Sequence, residues 1–278
     1  MNYDEDLLKL IRLLYDCVQS EAGKEIQHGE DWKNDAQVLG AKLFRHVASV
    51  QQISAGISFD FGDSTFSHVD HSSVAILVRA SIETLLAFKY IFTNDDTNLC
   101  LFRYKLWKLS GLNDRSKITA KSDESKAVLK REAEDIKTLK QEITQSPFYI
   151  NANREARREI DNCSWKPKGG AYVISGQIDI HQRYFSDIYN HLSGHAHTSY
   201  ISALQTRDAQ SLEDQQMLAG SARQILCMAL AHFLFSYTKT FPSALKILQS
   251  DAEIYKVVTT WHLKKAHLNI LYDQHNLK

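Results

Sequence analysis

The chain has 278 residues, of which 44% are apolar and 24% are charged, and this ordinary globular composition excludes a disordered protein. Basic and acidic residues number 33 each, so no overall positive field exists that would concentrate nucleic acid or an anionic membrane. Only three prolines and eleven glycines occur, which favours long helices over a turn-rich β architecture.

The cysteines and the first residues indicate a reducing compartment. The N-terminus is acidic, whereas a secretion signal begins basic and then becomes apolar. The two most apolar segments carry charges such as Arg79 and Arg223, so neither gives the charge-free span of roughly 20 residues that a bilayer needs. We therefore predict a cytoplasmic protein without a membrane partner. Its cysteines form no C-x-x-C pair and are expected to be isolated thiols: Cys17, Cys100, Cys163 and Cys227.

The N-terminal half reads as a series of helices. Apolar spacing predicts helices over residues 3–27 and 34–53, followed by a loop at residues 58–64 that contains glycine and aspartate. Residues 70–92 have no clearly polar face, so this helix should be central and mostly enclosed. A further helix is predicted from about residue 96 to 110, ending near Gly111 as a C-cap.

Residues 121–160 are unusually rich in charge. A thin apolar seam between Lys121 and Glu142 predicts a solvated helix, and a second charged helix is expected over Arg154–Ile160 after Pro147. Together they would form a projecting helical hairpin within a single domain that spans residues 1–278. The hairpin is a possible docking site for a protein partner, although a charged helix facing water is the simpler interpretation.

The C-terminal half continues the helical pattern. We predict a loop at residues 163–177, a helix over 180–192 and a turn at 193–199. Ser211 and Asp214 form a capping-box pattern that opens a long apolar helix to about Lys239, and a last helix is expected over 252–272. The predicted fold is all-α, a single domain of about seven to nine helices.

One candidate site is an ion pair in the central helix. Arg79 and Glu83 are four residues apart and so share one helix face. Their neighbours are apolar, and an unpaired charge in such surroundings costs several kcal/mol. The two side chains must therefore pair with each other, with another helix or with a ligand. A buried salt bridge that fixes helix register and a polar pocket both remain open.

A second candidate is the histidine-rich turn. His191 and His195 have the i, i+4 spacing of zinc proteases, but Leu192 stands where their general-base glutamate would be, which excludes that class. A metal-dependent hydrolase that uses His191, His195 and His197 remains an alternative, beside surface or capping histidines. A histidine can also act as a general acid or base. No nucleophile elbow, Walker-type loop or dinucleotide glycine pattern occurs, so no cofactor is predicted.

Several segments together resemble an uncharacterised bacterial family of all-helical proteins, known only as a domain of unknown function. The resemblance spans roughly residues 35–240, and that family is more distantly similar to the HEPN-type helical ribonucleases of toxin and phage-defence systems. The "S-S-[apolar]-x-R-x-x-[apolar]-E" helix of that family resembles the segment with Ser72-Ser73, Arg79 and Glu83. Its next helix resembles Leu106-Trp107-Lys108-Leu109 with Arg115. Its "Y-x-x-L-S-x-x-x-H-[ST]" turn resembles Tyr189 to Ser193 with His197-Thr198-Ser199.

The resemblance implies metal-independent cleavage of RNA by a stress or phage-defence effector. HEPN-type enzymes use an arginine and a histidine a few residues apart on one helix, a spacing that does not occur here, so Arg79 and His197 would have to converge from separate helices. In this hypothesis His197 is the acid/base, Arg79 stabilises phosphorane charge, Glu83 orients the arginine, and Tyr189 and His195 assist. The alternative is a non-enzymatic helical binding or oligomerisation module, including a homo-oligomer.

Overall fold

The protein is described by a computed structural model over residues 2–273. It is 75% helical with 3% strand, which confirms the predicted all-α class. The predicted number of helices was wrong, because the described residues form fourteen α-helices and not seven to nine. Much of the excess consists of helices of four to nine residues, which are too short to give a recognisable apolar period.

The elements follow the chain in this order: α1 (Tyr3–Gln19), α2 (Trp32–Ser54), β1 (Ile57–Asp60), β2 (Thr65–His68), α3 (His71–Phe92), α4 (Thr97–Ser116), α5 (Asp123–Gln145), α6 (Pro147–Ile150), α7 (Arg154–Asp161), α8 (Gly170–Gln177), α9 (Gln182–Ala196), α10 (Tyr200–Asp208), α11 (Leu212–Thr240), α12 (Leu245–Leu248), α13 (Ala252–Trp261) and α14 (Lys265–Asp273). A short 3₁₀ turn (Pro242–Ala244) precedes α12.

Helix α3 occupies the centre of the main core, as its uniformly apolar sequence predicted. It packs against α2 and α11 on two sides and against α9 on a third. Aromatic side chains fill the α3–α11 contact, where the ring centroids of Phe88 and Phe233 are 4.6 Å apart. Each of these rings is fully buried, and full burial of one such side chain contributes about 1.5–3 kcal/mol.

Helix α11 is the second long element of the core. Among the described residues it is the one helix that is long and apolar enough to cross a membrane, but most of its apolar stretch is buried inside the protein. It begins with the predicted capping box of Ser211 and Asp214. Its approach to α2 is close, because a Cβ on Gly40 would lie 3.0 Å from the Tyr237 ring and 3.1 Å from Val18.

The charged segment after α4 has a small core of its own. Helix α5 packs along α4, and Arg115 near the end of α4 pairs with Glu132 of α5. Helix α4 therefore runs through Gly111 to Ser116, and the predicted end at Gly111 was wrong because contact with α5 stabilises the extra turns. Six buried residues form this small core, five from α4 and α5 and one that follows α7: Phe102, Leu106, Leu109, Leu139, Ile143 and Cys163.

Four further boundaries differ from the predictions. The loop predicted at 58–64 lies within a hairpin of β1 and β2, which pair antiparallel with Ile57 opposite His68. The predicted loop at 163–177 contains α8, and the last helix is interrupted between α13 and α14. The first helix ends at Gln19 and not at residue 27, and Gly23 then adopts φ of 73°. The hairpin and the residues after Gln19 are mostly exposed, so burial gave the sequence little periodicity there, whereas residues 163–177 are mostly half-buried.

Candidate functional site

The candidate site lies where α9 packs across α3. Two contacts fix the pairing as antiparallel: Ser72 at the start of α3 meets His195 at the end of α9, and Arg79 meets Tyr189 one to two turns further along. We call the surface that carries Ser72, Arg79, Glu83, Tyr189 and His195 the α3–α9 face. Positions 72, 79 and 83 are seven and four residues apart, so they follow one stripe of α3.

Arg79, Glu83 and Tyr189 form a closed hydrogen-bonded triangle. The Arg79 Nη2 atom lies 3.2 Å from Glu83 Oε1 and donates to Tyr189 Oη at 3.1 Å. Tyr189 Oη in turn donates to Glu83 Oε1 at 2.6 Å. Burial, followed by the hydrogen bond to Glu83, raises the pKa of Tyr189. The tyrosine therefore stays protonated and keeps its bond to the carboxylate at neutral pH.

The ion pair is less enclosed than the sequence suggested. The Arg79 and Glu83 side chains are 24% and 36% exposed, so a strip of α3 between α9 and the solvent remains open. Arg79 Nε is buried and has no hydrogen-bond partner among the described residues, which leaves one donor of the guanidinium unused. The Arg79–Glu83 pair is therefore neither a fully buried salt bridge that fixes helix register nor part of an enclosed pocket.

Lys166 adds a second cation to this cluster. It lies in the segment between α7 and α8, and its Nζ is 3.8 Å from Glu83 Oε2. One carboxylate therefore faces two cations, and the group of Arg79, Glu83 and Lys166 carries a formal charge of +1. Such a half-exposed positive surface attracts phosphates. The sequence did not single out Lys166, because nothing local connects it to residue 83.

His195 is the imidazole that faces α3. Its Nδ1 lies 3.2 Å from Ser72 Oγ, and its ring meets the rings of His71 and His191 edge-on at centroid distances of 5.9 and 5.6 Å. Burial lowers the pKa of His195, and the neighbouring His191 and His71 add to this effect. His195 is therefore held in its neutral form at pH 7, in which one ring nitrogen carries the proton and the other can accept one; Gln205, which lies close by, opposes the lowering of its pKa.

His71, the first residue of α3, belongs to the same group and does not cap the helix. It is buried, with 6% of its surface exposed, and its Nε2 has no hydrogen-bond partner among the described residues. The capping role falls instead to Asp70, whose side chain accepts from the Ser73 amide at 2.9 Å. Burial also lowers the pKa of His71.

His197 lies outside this group. It is exposed at the C-cap of α9, eight residues after Tyr189, which corresponds to about 12 Å of helix rise. No described contact joins it to Arg79, so the structure does not bring these two predicted partners together. The three-histidine metal alternative is also without support, since no group of three or more His, Cys, Asp or Glu within the described residues is arranged to hold a metal.

Backbone geometry accounts for part of the turn after α9. Thr198 has φ of 50°, and the Ser199 amide donates to Gly194 O at 2.8 Å, which is a Schellman-type helix end. Ser199 Oγ then accepts from the Ser202 amide at 3.2 Å and caps α10. A Cβ on Gly194 would lie 2.8 Å from Ser199 Oγ. Gly194 and Ser199 therefore have structural roles in the histidine-rich turn.

Comparison with known proteins identifies one match. The model of a family of unknown function, DUF5677, matches residues 64–215, which is more than half of the chain and includes α3 and α9. The chain therefore belongs to this family, whose members have no assigned activity. No curated protein and no solved structure matches. The comparisons identify no HEPN-type ribonuclease, so that distant similarity stays a prediction.

Proposed function

We propose, for this member of a family without an assigned activity, that the α3–α9 face cleaves single-stranded RNA without a metal ion, with His195 as general base. The observation that supports the proposal most strongly is the setting of His195. Its ring is half-buried and neutral, held by Ser72, and next to a second, exposed imidazole on the same helix. Two adjacent imidazoles supply the proton acceptor and the proton donor that phosphodiester cleavage needs.

The proposed step balances as an internal transesterification. We propose the tautomer in which the Nδ1–H of His195 donates to Ser72 Oγ, so that its Nε2 takes the proton from a ribose 2′-hydroxyl. The 2′-oxygen attacks phosphorus while the bond from phosphorus to the 5′-oxygen breaks, and His191 gives a proton to that leaving oxygen. The products are a 2′,3′-cyclic phosphate and a free 5′-hydroxyl. We assign the base role to His195 and not to His197, because His195 faces α3 and contacts Ser72, whereas His197 is exposed at the C-cap of α9.

Arg79 and Lys166 are proposed to hold a flanking phosphate of the same strand. Arg79 is seven residues from Ser72 along α3, about 10 Å of helix rise, so it is too far away to contact a phosphate bound at His195. Glu83 and Tyr189 orient the guanidinium through the hydrogen-bonded triangle. The stress or phage-defence role rests on the sequence resemblance alone and stays a prediction.

A binding module is the second candidate, and one observation favours it. The Arg79 guanidinium already pairs with Glu83 and donates a hydrogen bond to Tyr189, as expected of an ion pair with a structural role. In that case the α3–α9 face contacts a partner or a second copy of the chain and performs no chemistry. This alternative predicts that purified protein leaves RNA intact.

The test measures cleavage of a fluorescent single-stranded RNA in excess chelator. His195→Asn should reduce the rate at least 100-fold, since acid/base residues contribute about 10²–10⁴-fold. His28→Asn is the matched control, because His28 is exposed in the loop between α1 and α2. Arg79→Gln should raise KM more than it lowers kcat. Equal rates in wild type and His195→Asn would rule out His195 as the base.

A further inference from the structure

A separate cavity of about 390 Å³ lies beside the C-terminal half of α3. Its walls come from α3, α4, the segment after α8, α11 and the segment between α13 and α14. It shares no lining residue with the α3–α9 face. Two carboxylates, Asp95 and Asp179, face four cationic side chains here, which gives a formal charge of +2 with histidine neutral: Lys89, Arg103, Lys239 and Lys264. We call this the cationic cavity.

Lys89 is the innermost of these cations and has no carboxylate partner. Its Nζ lies 3.3 Å from His232 Nδ1, and no acidic side chain within residues 2–273 lies within ion-pair distance of it. His232 Nε2 is 3.0 Å from Leu263 O. Since the ammonium only donates and the carbonyl only accepts, His232 is neutral with its proton on Nε2. The Lys89 ammonium therefore has a neutral imidazole as its direct partner, and Asp179 favours its charge only from beyond ion-pair distance.

This arrangement is unfavourable unless something else balances the charge. Removing an ammonium from water is costly, and burial lowers the pKa of Lys89 to about 8. The neighbouring His232 is fully buried and His262 lines the cavity, and burial holds their pKa values at about 3 and about 4. No imidazole here gains charge near pH 7. An unpaired, partly desolvated lysine in an open cavity is the expected signature of an anion site.

The other cations have defined places around Lys89. Arg103 donates to Tyr90 O at 2.8 Å, and its guanidinium lies 3.8 Å from the centroid of the Tyr90 ring. These contacts fix the guanidinium while most of its N–H donors remain available. Lys239 Nζ lies 2.7 Å from Asp95 Oδ1, and the Asp95 side chain is 93% exposed, so this ion pair lies at the edge of the cavity. Lys264 is exposed at the mouth and has no carboxylate partner within the described residues.

We infer that the cationic cavity binds a small phosphorylated molecule, no larger than a mononucleotide. The volume is within the range of small-ligand sites, which begins at about 300 Å³. Lys89, Arg103 and Lys264 have no carboxylate in ion-pair contact within residues 2–273, and three such cations match the two or more negative charges of a phosphate monoester better than a single carboxylate. A guanidinium fixed over an aromatic ring also presents the bidentate geometry that phosphate oxygens accept.

Calorimetric titration with inorganic pyrophosphate tests this site. Wild-type protein should bind, with affinity that falls as salt rises and as the pH rises above 8, where Lys89 loses its proton. Lys89→Gln and Lys264→Gln should each weaken binding at least tenfold. Lys9→Gln, at an exposed position of α1, should leave binding unchanged.

Two features make the result decisive. Lys264 is exposed, so Lys264→Gln tests the site without disturbing the core, while the melting temperature of each variant reports folding. Bound pyrophosphate should also raise the melting temperature of wild type and not that of Lys264→Gln. Absence of binding to wild type at millimolar concentrations, or equal affinity in Lys264→Gln and Lys9→Gln, would overturn the inference.

Discussion

His232 should contribute strongly to the acid lability of the protein. This side chain is fully buried between Lys89 and the Leu263 carbonyl, and burial, reinforced by Lys89, lowers its pKa from 6.5 to about 3. In the unfolded chain the imidazole takes up a proton near pH 6.5, whereas the folded protein resists protonation down to about pH 3. Its contribution to stability is therefore complete above pH 6.5 and is lost as the pH falls from 6.5 towards 3.

The size of the effect follows from the displaced pKa. Each pH unit well below 6.5 is equivalent to about 1.4 kcal/mol, but the unfolded imidazole is only half-protonated at pH 6.5. Acidification from pH 6.5 to 4.5 should therefore cost about 2.3 kcal/mol through His232. Urea denaturation at both pH values measures it, with His232→Gln as the variant that cannot titrate. His28→Gln, at an exposed histidine, is the control.

The comparison of slopes isolates the histidine. Carboxylates titrate in all three proteins, and His232→Gln is expected to be less stable at neutral pH. Its stability should nevertheless fall by about 2.3 kcal/mol less over this range than that of wild type. His28→Gln should follow the wild-type slope. If wild type and His232→Gln lose the same free energy of unfolding between pH 6.5 and 4.5, the reasoning about burial at this position is wrong.

Three smaller changes test the packing around the site. Tyr189→Phe removes the hydroxyl that bridges Arg79 and Glu83 and should lower the free energy of urea unfolding by about 1 kcal/mol; no change would mean that the triangle is not formed in solution. Ser199→Ala removes the N-cap of α10 and should cost about 1 kcal/mol, visible as faster amide hydrogen exchange in that helix; unchanged exchange would contradict the cap. Ile143→Ala opens a cavity between α4 and α5 and should cost about 2–4 kcal/mol, with faster exchange in α5 while α3 stays protected; equal acceleration in both helices would contradict a separate small core.

The central helices could be predicted because burial leaves a strong sequence signal. Helix α3 was predicted over residues 70–92 and runs from His71 to Phe92, and the capping box at Ser211 correctly marked the start of α11. The hairpin of β1 and β2 was missed because six of its eight strand positions are exposed and the other two are half-buried, which removes the alternation that identifies strands. The predicted end of α4 at Gly111 was wrong, because an exposed glycine inside a helix looks the same in sequence as a glycine at a C-cap.

The site was only partly accessible from the sequence, because it depends on contacts between distant segments. The i, i+4 spacing was sufficient to pair Arg79 with Glu83. The bridging hydroxyl of Tyr189 comes from a position 106 residues later than Glu83, and no local pattern reveals that contact. The end of α9 decided which histidine faces α3. Its prediction at residue 192 was four residues short, and the longer helix turns His195 towards Ser72 while His197 remains exposed.

The RNA-cleavage proposal depends on a ribose 2′-hydroxyl as the nucleophile at His195. The most direct test incubates wild-type protein in excess chelator with a single-stranded RNA and with the same sequence made of deoxynucleotides, and then analyses the product ends by mass spectrometry. The proposal predicts that RNA alone is cut and that the new ends are a 2′,3′-cyclic phosphate and a 5′-hydroxyl. Intact RNA, equal cutting of the deoxynucleotide strand, or ends with a 5′-phosphate would contradict it.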